Sequence, residues 1–231
     1  MWRAFFLVVV TMAMSISAIA SPKAPSRSVR GSSVVSDRDP AVRISLPSDA
    51  TFVGSDSWVL YGITNCRQFV FVQADKQKNI ERLYWVQFEA YIASMPKLHY
   101  EYDSPRHATL GGMDFYLDTW LSNYAGGTPQ PPDLGQLKAA LAKFGYPAPA
   151  GINSGSDSEH VFSIITAKGY TLPRKRVDVR FVHLPGSDRR KELMVIYSEK
   201  FEGSVPSHAQ IQGAVERAER SIVISQLSGL H

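Results

Sequence analysis

The segment from Ile80 to Ile92 constrains the fold of this chain more than any other. Its even positions, Tyr84, Val86, Phe88, Ala90 and Ile92, form one apolar face. Its odd positions, Glu81, Trp85, Gln87, Glu89 and Tyr91, form a mixed face of aromatic and polar groups. A period of two belongs to a β-strand, and a strand this long needs partners on both edges. The run Arg67 to Ala74 supplies one. There Phe69 and Phe71 point one way and Val70 and Val72 the other, the pattern of a central strand buried on both sides. Gly62-Ile63-Thr64-Asn65 separates this run from Trp58-Val59-Leu60-Tyr61, which predicts a hairpin. Further strands are expected at Lys97 to Tyr102, Met113 to Leu117, Val177 to Leu184 and Leu193 to Ser198. The last two flank the turn Pro185-Gly186-Ser187-Asp188.

Three stretches change to a helical period. Asp133 precedes Leu134, Leu137, Leu141 and Phe144, and Gly145 and Pro147 stop that run. Ser156 and Glu159 form a capping box ahead of Val161, Phe162 and Ile165, with Gly169 as the stop. Ser207 and Gln210 form a second box ahead of Ile211, Val215, Ala218 and Ile222. Short polar turns between strands imply antiparallel pairing, and one-striped helices must lie on a sheet. The expected class is α+β: a mostly antiparallel sheet with amphipathic helices on one face, including a C-terminal helix. The order of elements resembles helix-grip folds, in which a curved sheet wraps a helix around a cavity.

The chain begins with Met1-Trp2-Arg3, an apolar stretch from Ala4, and Ala18-Ile19-Ala20 before Ser21. That is the layout of a secretory signal peptide, so residues 1–20 are expected to be removed and the remainder to work in a periplasm or outside the cell. Residues 21–40, rich in Ser, Pro and Arg, are expected to form a flexible tether. Residues 41–231 then make one α+β domain, with a β-rich half to 125, a Gly/Pro-rich connection at 126–132 and a mixed half from 133. No transmembrane span is expected once the leader is gone.

The formal charge of +4 is uneven. Arg3 leaves with the leader and residues 21–42 carry +2, so residues 43–231 retain only +1. A body so near neutral gives no reason to expect nucleic acid as a partner. Cys66 is the single cysteine, which excludes disulfide-rich scaffolds and zinc sites built on cysteines. At the start of an apolar strand it reads as inert packing. No Gly-x-Ser-x-Gly elbow, dinucleotide fingerprint or Walker loop is present. No cofactor is indicated.

Two candidate sites remain. Trp85, Gln87, Glu89 and Tyr91 share one strand face, and aromatic walls with a few polar groups suit a small organic or lipidic ligand. The plain alternative is core packing under the C-terminal helix with Glu89 at the rim. The second candidate is His99-x-Glu101-x-Asp103 with His107 nearby. On a strand these would project together and could hold a metal or share acid–base work in a hydrolytic enzyme. The alternation is equally that of an ordinary strand with one wet side, and that reading carries more weight. Arg174-Lys175-Arg176 and Arg189-Arg190-Lys191 read as solvated turn charges. The leading expectation is a non-catalytic binding or envelope-associated protein. The alternatives are the metal-assisted enzyme and a protein-interaction module whose partner the sequence does not name.

Overall fold

The computed structural model describes residues 26–123, 134–149 and 156–227. The chain runs through β1 (Arg27–Arg30), β2 (Ser33–Ser36), β3 (Val42–Ser45), β4 (Thr51–Leu60), β5 (Thr64–Ala74), β6 (Ile80–Tyr91), β7 (His107–Leu110) and β8 (Met113–Asn123). It continues with α1 (Leu134–Lys143), α2 (Asp157–Ala167), β9 (Lys175–His183), β10 (Lys191–Lys200), α3 (His208–Ser221) and β11 (Val223–Gln226). The fold is mixed α+β with two antiparallel sheets. One has four strands in the order β1-β2-β3-β11, the other seven in the order β4-β5-β6-β10-β9-β8-β7. The larger sheet is two meanders, β4–β6 and β7–β10, joined where β10 pairs with β6.

Strand alternation divides the larger sheet into two unlike faces. On the first, Phe69, Phe71, Tyr84, Val86, Phe88, Phe115, Phe181 and Val195 form one apolar cluster. Val34, Val42, Ile44 and Ile224 of the small sheet join it, as do Ala214, Val215 and Ala218 of α3. Gly111 lets the β7–β8 turn press on β11: a Cβ there would sit 2.2 Å from the Ile224 carbonyl oxygen. On the second face Val70, Val72, Leu83, Trp85, Met194 and Ile196 pack against Val161 and Ile165 of α2. Gly54 leaves room for Ile164, whose Cγ2 would lie 2.9 Å from a Cβ at that position. His160 of α2 bonds the Asp56 carboxylate at 2.7 Å and stacks on Trp58 with ring centroids 4.0 Å apart. Both capping boxes form, Ser156 with Glu159 and Ser207 with Gln210.

Three expectations need correction. The helices do not share one face: α3 packs on the first and α2 on the second, because Phe88 and Trp85, one on each face, both demand cover. Residues 27–36 are the hairpin β1–β2 and not a tether, since Val34 is fully buried beside Val42 and Ile44. Lys97 to Tyr102 is not a strand. The Arg190 guanidinium donates to the carbonyl oxygens of Met95, Leu98 and Ile92 at 2.7, 2.8 and 3.0 Å, satisfying backbone that no ladder serves. Arg190 is thus a clamp and no solvated turn charge, and Arg176 is buried. The Gly/Pro-rich connection at 126–132 and the leader lie outside the described residues. No helix among the described residues is long and apolar enough to cross a membrane.

Candidate functional site

Every buried polar or charged side chain of the larger sheet, among the described residues, lies on the second face: Thr64, Gln68, Gln87, Glu89, Arg176, Asp178, Glu192 and Ser198. They form two stations, one towards the start of α2 and one beside its length.

The first station is acidic. Antiparallel register sets Cys66 opposite Glu89, and Glu89 opposite Glu192, in one row across β5, β6 and β10. Asp157 enters from the first turn of α2. Hydrogen bonds run along β6: Trp85 Nε1 donates to Gln87 Oε1 at 2.7 Å, and Gln87 Nε2 donates to Glu89 Oε1. The Tyr100 hydroxyl donates to the other Glu89 oxygen at 3.0 Å, and the Tyr102 hydroxyl to Glu192 at 2.8 Å. Burial, resisted by Gln87, Tyr100 and Arg180, raises the Glu89 carboxyl above its ordinary range. Burial and the charge of Glu89 raise Glu192 further. The same two causes push Asp157 up to about 7. Burial also raises the Cys66 thiol. The charge of Arg180 acts on Glu89 and Glu192, yet its Nε and Nη2 both bond Asp118, at 3.2 and 2.6 Å. Cys66 Sγ and carboxylate oxygens of Glu89 and Asp157 lie within 4.8 Å of one another, the spacing of groups that could hold a metal ion.

The second station is a cleft of about 450 Å3, counted to its open mouth, between α2 and the sheet. Trp85, Trp120, Phe162, Val161, Leu83, Leu172 and Ile196 make its walls, and Ser122, Ser158, Ser198, Arg176 and Asp178 its polar end. The Ser122 and Ser198 hydroxyls and Arg176 Nε all donate to the Asp178 carboxylate. Trp120 is 40 % exposed, and its Nε1 donates to Ser122 Oγ at 3.1 Å. Exposed and anchored at once, it suits a contact surface.

The four residues expected on one strand face do share it, but the structure separates their surroundings. Trp85 lines the cleft; Gln87 and Glu89 lie deeper in the acidic row; Tyr91 packs on Tyr100 at 4.5 Å. The plain reading needs its own correction, since α2 and not the C-terminal helix packs on Trp85, while Tyr91 lies in the cluster of Leu137 and Leu141 from α1. The histidine constellation does not assemble on a strand. His99 bonds Glu101 at 3.0 Å, Asp103 is exposed, and His107 bonds Asp114 across β7–β8. From that segment it is Tyr100 and Tyr102 that reach a site. Glu192, Asp157, Gln68 and Trp120 escape the sequence reading. A polar residue in a strand apolar on both sides, as Gln68 is between Cys66 and Val70, is the signal that exposes such a row. Comparison with protein-family models, with curated proteins and with solved structures finds no match for this chain.

Proposed function

We propose that this protein is an exported, non-catalytic binding protein that takes a small neutral organic molecule in the cleft between α2 and the larger sheet. The observation that carries the reading is the pairing of Trp85 and Trp120 in a cleft whose polar end is internally compensated. Asp178 already accepts from two hydroxyls and a guanidinium, so an ion entering the cleft meets no free counter-charge. An aromatic or short aliphatic body on the indoles, with a hydroxyl or carbonyl towards Ser122 and Ser158, matches what the walls offer. In a helix-grip arrangement the ligand would lie against the C-terminal helix, whereas this reading puts it on the opposite face. The leader-like residues 1–20 supply the reason to place the protein outside the cytoplasm.

Native mass spectrometry of the protein purified from the exported fraction, compared with its mass after unfolding, tests the reading. The expected result is an excess mass of organic size in the native spectrum, lost from Trp120→Ala while that variant melts as the parent does. Trp120 is exposed enough that its removal should leave the fold intact. An excess mass unchanged in Trp120→Ala, or none in either protein, overturns the proposal. The second outcome brings a protein partner forward instead.

A further inference from the structure

We propose that Cys66, Glu89 and Asp157 form a binding site for one divalent cation of the zinc class, separate from the organic cleft. Three elements converge to build it: β5 brings the thiol, β6 one carboxylate and the first turn of α2 the other. Their donor atoms already lie within 4.8 Å of one another. In a tetrahedral zinc site, with Zn–S about 2.3 Å and Zn–O about 2.0–2.2 Å, donor atoms stand roughly 3.3–3.8 Å apart. Asp157, whose Oδ1 has no hydrogen-bond partner, is the ligand left to close that difference.

A second observation, independent of the acidic cluster, points the same way. Gln68 is 0 % exposed, and neither its amide oxygen nor its amide nitrogen has a hydrogen-bond partner. It follows Cys66 on the same face of β5 and stands opposite Gln87, which bonds Glu89. A buried amide with both ends unbonded is rare in native proteins, and a bound ion with its water supplies what this one lacks. Asp157 Oδ1 is also buried without a partner, an acceptor held ready in the same place.

The donor set selects the ion. One thiolate with two carboxylates suits zinc and its cobalt substitute, whereas calcium and magnesium prefer oxygen alone. Glu89 is fixed by Gln87 and Tyr100, the outer support that orients metal ligands. Gln68 Oε1 or a water is the natural fourth ligand. On binding, the sulfur–hydrogen bond of Cys66 breaks and the sulfur pair forms the metal–sulfur bond; that proton, and any held by the Glu89 and Asp157 carboxyls, leave to solvent. The ion in turn offsets a row in which Glu89, Glu192 and Asp157 face a single guanidinium engaged by Asp118. The cysteine expected to be inert packing therefore has a role that packing does not give it.

Cobalt(II) added to the full chain after chelator stripping reads the site directly. One equivalent should produce a thiolate-to-cobalt charge-transfer band with tetrahedral d–d absorption, and one equivalent of zinc should abolish both. Cys66→Ser should remove the charge-transfer band. Asp157→Asn, which leaves the Ser156–Glu159 capping box untouched, should weaken cobalt binding at least tenfold, and His99→Ala should change nothing. Melting curves show which variants remain folded, and Asp157→Asn keeps the test open if Cys66→Ser does not fold. The absence of a charge-transfer band at one equivalent overturns the proposal. So does binding that survives in Asp157→Asn or disappears in His99→Ala.

Discussion

The two faces of the larger sheet are made by the same strands, yet they carry different burdens. Facing the small sheet and α3, β6 presents Tyr84, Val86 and Phe88, and β10 presents Leu193, Val195 and Tyr197. Polar groups are few there among the described residues: Arg27 lies over Phe88, and at the rim Arg217 Nε bonds Glu199 at 2.8 Å and the Tyr197 hydroxyl bonds the same carboxylate at 2.6 Å. Facing α2, the alternate residues of those strands include Gln87, Glu89, Glu192 and Ser198, all buried. Burying polar groups brings no hydrophobic gain and is unfavourable unless every group finds a partner. A chain selected for stability alone would fill both faces alike. The first face packs apolar side chains throughout its centre, and on the reading proposed above the second gives up stability for sites.

Large-to-small substitution on the first face should show the greatest effect. Phe88 is 1 % exposed, and Arg27 lies over its ring at 4.2 Å from the centroid. Phe88→Ala should lower unfolding free energy by about 3–5 kcal/mol in urea titration, the usual result of emptying an aromatic site in a packed core. A loss under about 1 kcal/mol would mean that this face is not the main cluster, and the comparison would fail.

Acidity separates the faces by sign. Burial raises Glu89, Glu192 and Asp157 on the second face, the last to about 7. Burial also acts on Glu199 at the rim of the first, but its hydrogen bonds from Arg217 and Tyr197 win and hold it below its ordinary value. A carboxyl raised by folding holds its proton more tightly in the native state. The stability it confers is therefore present at low pH and lost as pH rises through the folded value. For the second face that window opens near the ordinary carboxyl range and runs past about 7. Glu199 acts oppositely, losing its contribution as pH falls through its depressed value. The groups around the acidic row include Cys66, Tyr61, Tyr91, Tyr100, Tyr102 and Arg180, with Arg190 beside Tyr91. The two arginines are engaged elsewhere, Arg180 by Asp118 and Arg190 by backbone carbonyls. Metal-free protein should thus lose stability, on the order of 2–4 kcal/mol, between roughly pH 4.5 and pH 8. A urea midpoint that is flat or rises over that interval would show the acidic row to be solvated.

Much of this division was legible and its meaning was not. The odd–even pattern of Ile80 to Tyr91 announces two faces, and the capping boxes at Ser156 and Ser207 announce helices, because both are local properties. The hairpin Arg27–Ser36 was hidden: its burial comes from Val42, Ile44 and Ile224, which sequence proximity does not supply. The apparent strand at Lys97 to Tyr102 misled because Arg190, far along the chain, bonds the Leu98 carbonyl together with those of Ile92 and Met95 just before it. Glu89 could be singled out from its strand, but its row needed the register of β6 with β10 and the position of α2. No spacing encodes those.

The smallest effect should be the most informative, because its two readouts run in opposite directions. Gln68 carries a buried amide with no partner, and leucine matches it closely in volume while removing both unbonded atoms. In metal-free protein Gln68→Leu should stabilise by about 1–2 kcal/mol, since an unpaired buried polar group is worth about that penalty. With cobalt present the same variant should bind more weakly than the parent, because the amide no longer supports the fourth position. Stabilisation with weakened binding would mean that Gln68 is kept for the site at the expense of the fold. If Gln68→Leu instead destabilises the metal-free protein, the amide is already satisfied by ordered water, and the second face is less strained than the first makes it look.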